Sequence, residues 1–142
     1  YAISGYAPPN VLQGLSLIWL NCLLLLAVSF FGGSIFSTIT NGVMVFGLYG
    51  VAFVGGWVEQ LGSILKNQSA IEIGVITSLI MPSEALWKRA AYEMQSPLAT
   101  ALGGITPFSA TSVPSPLMIG YAVVYLTIAL IMTIRMFSRR DL

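Results

Sequence analysis

The chain has 142 residues, of which 56% are hydrophobic and 8% charged, with a formal net charge of +1; an average soluble domain is about 25% charged. Water cannot solvate that much apolar surface on so short a chain, so the composition reads as an all-α integral membrane protein. With no histidine and one cysteine, Cys22, the chain has no Cys/His zinc set, intrachain disulfide or histidine base, and its near-neutral charge excludes a nucleic-acid footprint. Residues 1–10, YAISGYAPPN, pair tyrosines with prolines and no charge, which suits a short interfacial segment. The chain starts at Tyr1 without an initiator methionine or a signal-peptide pattern, and it reads as a piece of a longer polypeptide.

A first span is predicted over about 11–31, long enough at 1.5 Å per residue to cross a hydrocarbon core of about 30 Å. Asn21 in its middle is expected to make an interhelical hydrogen bond. Residues 32–42, GGSIFSTITNG, read as a turn with paired glycines and helix-capping hydroxyls. A second span follows over about 43–65. Its small residues Gly47, Ala52, Gly55 and Gly56 predict close packing against another helix, Ala52 and Gly56 having the four-residue spacing that lets backbones approach in lipid.

Trp57 marks an interface, and immediately beyond it stand Glu59, Gln60, Ser63 and Lys66. Glu59, Ser63 and Lys66 share a helical face at offsets of four and seven, so these four residues are the predicted lining of a polar transport vestibule. Glu59 and Lys66 lie about 10.5 Å apart along the axis, too far for a direct pair. Residues 69–81, which include Glu72, are apolar but half the length of a span, as expected of a re-entrant or interfacial segment. Pro82 stops it. Ser83 is the expected cap of a second short helix over 83–95, with Glu84 in its first turn. Trp87, Ala90, Ala91 and Met94 make the apolar face of that helix, and Glu84–Lys88 and Arg89–Glu93 are i, i+4 pairs on it. Glu72, Pro82, Ser83, Glu84 and Trp87 are therefore the predicted break on the outer face.

Residues 96–116, rich in Pro, Gly, Ser and Thr, read as a loop, and a third span is predicted over about 116–137. Arg135, Arg139 and Arg140 place the C-terminus in the cytoplasm by the positive-inside rule. Three spans then put the loops around 66–116 outside, in a multi-pass protein of the plasma (inner) membrane. Lys66, Lys88 and Arg89 match the tail in number, although the tail is denser and two of the three loop charges have acidic i, i+4 neighbours. Met132 and Met136, four apart, are read as apolar filler, and no metal site is expected.

The glycine-rich span running into GGWVEQLGS, the string NQSAIEIGVITSLIMPSEALWKRAAY, the Pro/Gly/Ser-rich loop and a last span ending in basic residues together resemble the C-terminal half of a type-2 ATP-binding-cassette permease. The branch resembled is the multi-copper enzyme maturation permeases. The resemblance implies that residues 11–31, 43–65 and 116–137 match the fourth, fifth and sixth helices of such a permease, and that 69–95 match the helices dipping into its outer leaflet. It implies a partner ATPase that carries ATP and Mg²⁺, a second permease copy, and export driven by the partner. The first three helices and the cytoplasmic coupling helix are not matched, and no G-x-x-x-x-G-K-[ST] loop occurs, so neither ATP hydrolysis nor any cofactor is expected on this chain. Two other readings stay open: a non-transporting scaffold or assembly factor, and a membrane enzyme using the carboxylates Glu59, Glu72 and Glu84.

Overall fold

The computed structural model describes residues 10–95 and 113–139. They form five helices: α1 (Val11–Gly33), α2 (Thr38–Ile64), α3 (Gln68–Ile80), α4 (Ser83–Met94) and α5 (Pro116–Ser138). The expected interfacial segment over 1–10 and the loop over 96–116 fall mostly outside the described residues. α1, α2 and α5 have 23, 27 and 23 residues and are long and apolar enough to cross a membrane. At most 28% of the most apolar window in any of them is buried inside the protein. Trp19, Ile39, Phe46 and Leu117 all face outward, as side chains do when the surrounding medium is itself apolar.

The first turn is shorter than expected. Only residues 34–37 leave the helix, and α2 begins at Thr38, inside the stretch 32–42 that reads as a turn. Tertiary contacts explain the difference. The Asn41 amide Nδ2 donates to the Ser29 carbonyl across the hairpin at 2.9 Å, and Asn41 and Met44 close over Gly32, so the polar cluster serves the α1–α2 contact from within a helix. Ser34 is fully buried in the turn, its hydroxyl donating to the Phe31 carbonyl and standing 3.4 Å from the Met136 sulfur.

α2 ends in a tight reversal. The Asn67 amide donates back to the Gly62 carbonyl and the Lys66 amide to Ser63, the paired bonds of a Schellman stop. Lys66 takes the left-handed position at φ 52°, where glycine is usual. Asn67 then caps α3, its side-chain oxygen accepting from the Ala70 amide. α3 runs back down α2 with almost no side chain between the two backbones. Gly62 abuts Ala70, Gly55 abuts Thr77, and a Cβ on Gly74 would stand 2.9 Å from the Glu59 Cα. This is the most extensive helix contact among the described residues.

At Met81 and Pro82 the chain bends by 104° into α4, and both residues are buried. α4 ends beside the start of α1: the Asn10 amide donates to Glu93 at 2.9 Å, and the Met94 side chain covers Gly14. α5 starts at that same end, where the Pro114 carbonyl accepts from Arg89, and finishes near Ser34 at the far end of α1. α1 and α5 are therefore parallel and α2 antiparallel to them. The α3–α4 pair enters beside the end of α2 and leaves beside the start of α5, on one side of the molecule. With a 104° bend the two short helices fold back instead of running straight on, and the tip at Met81 and Pro82 is enclosed by the bundle. The arrangement is that of a bent helix pair, as expected of a re-entrant or interfacial segment.

The core gathers at that tip. Leu24 and Val28 of α1, Ala52 of α2, Met81, Leu86 and Ala90 of the bent pair and Ala122 of α5 form one buried cluster. α2 and α5 do not pack on each other; α1 and α4 stand between them. Asn21 departs from expectation, since its side-chain oxygen is buried without a hydrogen-bond partner. Ser83 departs as well: Pro82 occupies the cap position, Ser83 is the first helical residue, and its hydroxyl is buried without a partner.

Candidate functional site

Three ionisable side chains meet where α4 crosses α2. The Lys88 ammonium donates to Glu59 Oε2 at 3.0 Å and to the backbone carbonyl of Gly56 at 3.1 Å. Both charged side chains are mostly buried. Glu84, one turn before Lys88, lies with its carboxylate against Gly56 and is only 7% exposed. Gly56 makes this possible, because a Cβ there would stand 2.7 Å from Glu84 Oε1. The i, i+4 partnership expected of Glu84 and Lys88 is thus replaced by a pair between helices. Lys88 reaches Glu59, 29 residues away in sequence, because the bend at Pro82 turns the start of α4 toward α2.

A cavity of 230 Å³ opens beside the three charges. Glu59, Glu84, Lys88 and the hydroxyls of Ser78 and Ser115 supply its polar wall, and Val75, Ala85, Val113, Pro114 and Met118 most of the rest. Its edge is tied down on two sides. Arg89 pairs with Glu93 at 2.9 Å, donates to the Pro114 carbonyl at 3.3 Å, and lies over the Tyr92 ring. The Tyr121 hydroxyl donates at 2.5 Å to the Leu79 carbonyl, one of the acceptors that the end of α3 leaves without a helical partner. The second expected intrahelical pair, Arg89–Glu93, is therefore present, and it carries an anchor for the start of α5.

Of the four residues read as a vestibule, Glu59 lines this cavity, and Gln60, Ser63 and Lys66 do not. Glu59 faces the α2–α4 cleft. Ser63 turns its hydroxyl back onto the Gln60 carbonyl, and Lys66 is exposed in the turn that ends α2. Lys66 departs because the helix stops at Ile64, which takes it off the helical face that it would share with Glu59. Among the outer-face residues, Pro82, Ser83 and Glu84 are buried at the tip, while Glu72 and Trp87 are exposed. Glu72 is therefore not part of the carboxylate cluster.

Of the packing residues, Ala52, Gly55 and Gly56 are buried, Gly55 against α3 and Gly56 against α4. Gly47 is exposed, with nothing within 4 Å of where its side chain would be; it lies on α2 short of the region that α3 covers. Gly62, Gly74, Ser78 and Ser115 were not singled out from the sequence. The spacing Ala70, Gly74, Thr77 opposite Gly55, Glu59, Gly62 carried the signal for the first two, as matched offsets of four and three or three and four. Among the described residues no group of three metal-ligating side chains occurs. Met132 borders an apolar groove between α1, α2 and α5.

No family model, no curated protein and no solved structure matches this chain.

Proposed function

We propose that the chain is a membrane-spanning permease subunit of an ATP-binding-cassette exporter. A partner ATPase binds ATP and Mg²⁺, and a second permease copy completes the path. The reading rests on one observation: a bent helix pair folds Glu84 and Lys88 into a bundle of three helices long and apolar enough to cross a membrane, where they meet Glu59 beside a cavity. Ionisable groups enclosed within a membrane bundle are expensive and mark substrate or ion pathways in membrane proteins, and non-helical backbone within the membrane is tolerated where it is enclosed by protein or lines a cavity. The α3–α4 pair would act as the gate of the path, with nucleotide binding on the partner shifting two arrangements of it. The outward apolar faces of α2 and α5 would meet lipid and the second copy.

In this reading the protein lies in the plasma (inner) membrane with its C-terminus in the cytoplasm. The ends of α2 and α4 and the start of α5 then face outside. A single cysteine placed at Asn67 or Val113, in a background with Cys22 replaced, is expected to react with a membrane-impermeant maleimide on intact cells, and one placed at Ser37 only after permeabilisation. Labelling of Asn67 and Val113 from opposite sides would show that the α3–α4 pair crosses instead. The transport reading is tested by purifying the full-length protein from its native membrane. An ATPase subunit should accompany it, and Glu59→Gln should change the rate of ATP hydrolysis by the complex. A protein that purifies without any ATPase would favour the scaffold reading.

A further inference from the structure

We propose that the cavity between α2, α3, α4 and α5 binds a primary ammonium group on a short alkyl chain, with Glu84 as its counter-charge. The inference gives a ligand class to the site described above and takes its transport role from that reading; the binding itself needs no ATPase. Lys88 is already committed to Glu59 and to the Gly56 carbonyl. Glu84 makes no hydrogen bond or ion pair among the described residues, is more than nine-tenths buried, and borders the cavity. A carboxylate taken out of water without a partner is costly, and the cost is recovered when a cation pairs with it.

The walls narrow the kind of cation. Ser78 uses its proton on the Val75 carbonyl, which leaves its oxygen lone pairs as acceptors, and the Ser115 hydroxyl offers a second oxygen. An –NH₃⁺ group has three donors, and Glu84, Ser78 and Ser115, all lining the cavity, supply three acceptors. Among the described residues no aromatic ring lines the cavity, which disfavours a quaternary ammonium, the group that aromatic cages recognise. Val75 and Met118 give an alkyl chain apolar surface. At 230 Å³ the space lies below the range of about 300–1,000 Å³ common for drug-sized ligands, so the chain is short. The same ammonium is carried by soluble alkylamines and by the headgroup of an aminophospholipid.

The test uses the full-length protein in phosphatidylcholine nanodiscs with n-butylamine as probe, followed by calorimetric titration and by the unfolding temperature. The expected result is saturable binding with a rise in unfolding temperature, absent with 1-butanol and much weaker with tetramethylammonium. Glu84→Gln should weaken binding by about tenfold or more, as loss of a charge-assisted partner does. Should that variant fail to fold, Ser78→Leu keeps Glu84 and fills the cavity, and it too should abolish binding. Adding phosphatidylethanolamine to the nanodiscs distinguishes the sources: weaker butylamine binding identifies the lipid headgroup as the occupant, and unchanged binding a soluble amine. No binding to the wild type, an equal response to 1-butanol, or full affinity in either variant overturns the proposal. None of these outcomes depends on whether an ATPase accompanies the protein, so the ligand and the transport reading fail separately.

Discussion

Gly55 and Gly56 are neighbours in sequence and serve opposite ends. Gly55 lies against Thr77 of α3, in an interface so close that the two backbones almost touch. Gly56 lies against Glu84 of α4, and the space its missing side chain leaves is filled by a carboxylate. One side of α2 is thus sealed by small residues, and the adjoining side holds charge beside a cavity. The same device, absence of a Cβ, brings helices together when the partner is small and admits a polar group when the partner is long. The difference lies in what α3 and α4 present to α2.

The charged side should be the more sensitive. Lys88→Ala removes the cation between two mostly buried carboxylates, and a loss of about 3–5 kcal/mol is expected, read from chemical unfolding in detergent. Combining it with Glu59→Gln should restore part of that loss; a single variant within about 0.5 kcal/mol of wild type would show that the cluster is open to water. On the sealed side, Gly74→Ala drives a Cβ toward the Glu59 backbone and should cost about 1–3 kcal/mol. Its control is Gly47→Ala on the same hairpin arm, which meets open space and should cost nothing, or gain up to about 1 kcal/mol of helix propensity. Equal effects at the two positions would erase the contrast between a packed and an unpacked glycine.

The smallest change expected is at the end of the sealed interface. Lys66 holds a left-handed φ of 52°, so Lys66→Gly should relieve local strain and raise stability by up to about 1 kcal/mol. A loss there would mean that the Lys66 side chain contributes to the α2–α3 turn in a way its exposure does not suggest.

Much of the fold is legible in the chain. A run of apolar residues needs no partner to declare a span, and Pro82 ends a helix by its own covalent structure, so the expected short helices at 69–81 and 83–95 lie within about one residue of Gln68–Ile80 and Ser83–Met94. The stretch 32–42 reads as a turn because serine, threonine, asparagine and glycine are weak helix formers in isolation, whereas the turn itself is shorter, since Asn41 gains a carbonyl on α1 only once the hairpin has closed.

Sequence alone therefore determined that the chain belongs in a membrane, how many long helices it has, and where the half-length pair breaks. These are local properties, set by hydropathy over a window and by the backbone limits of proline. Tertiary structure decided which charges meet. Helical periodicity put Lys88 on the same face as Glu84 and Glu59 on the same face as Lys66, but it carries no information about how far one helix is turned toward another. The 104° bend and the glycine contacts of α2 set that rotation, and with it Lys88 goes to Glu59, Glu84 goes to the cavity, and Lys66 is left in the turn.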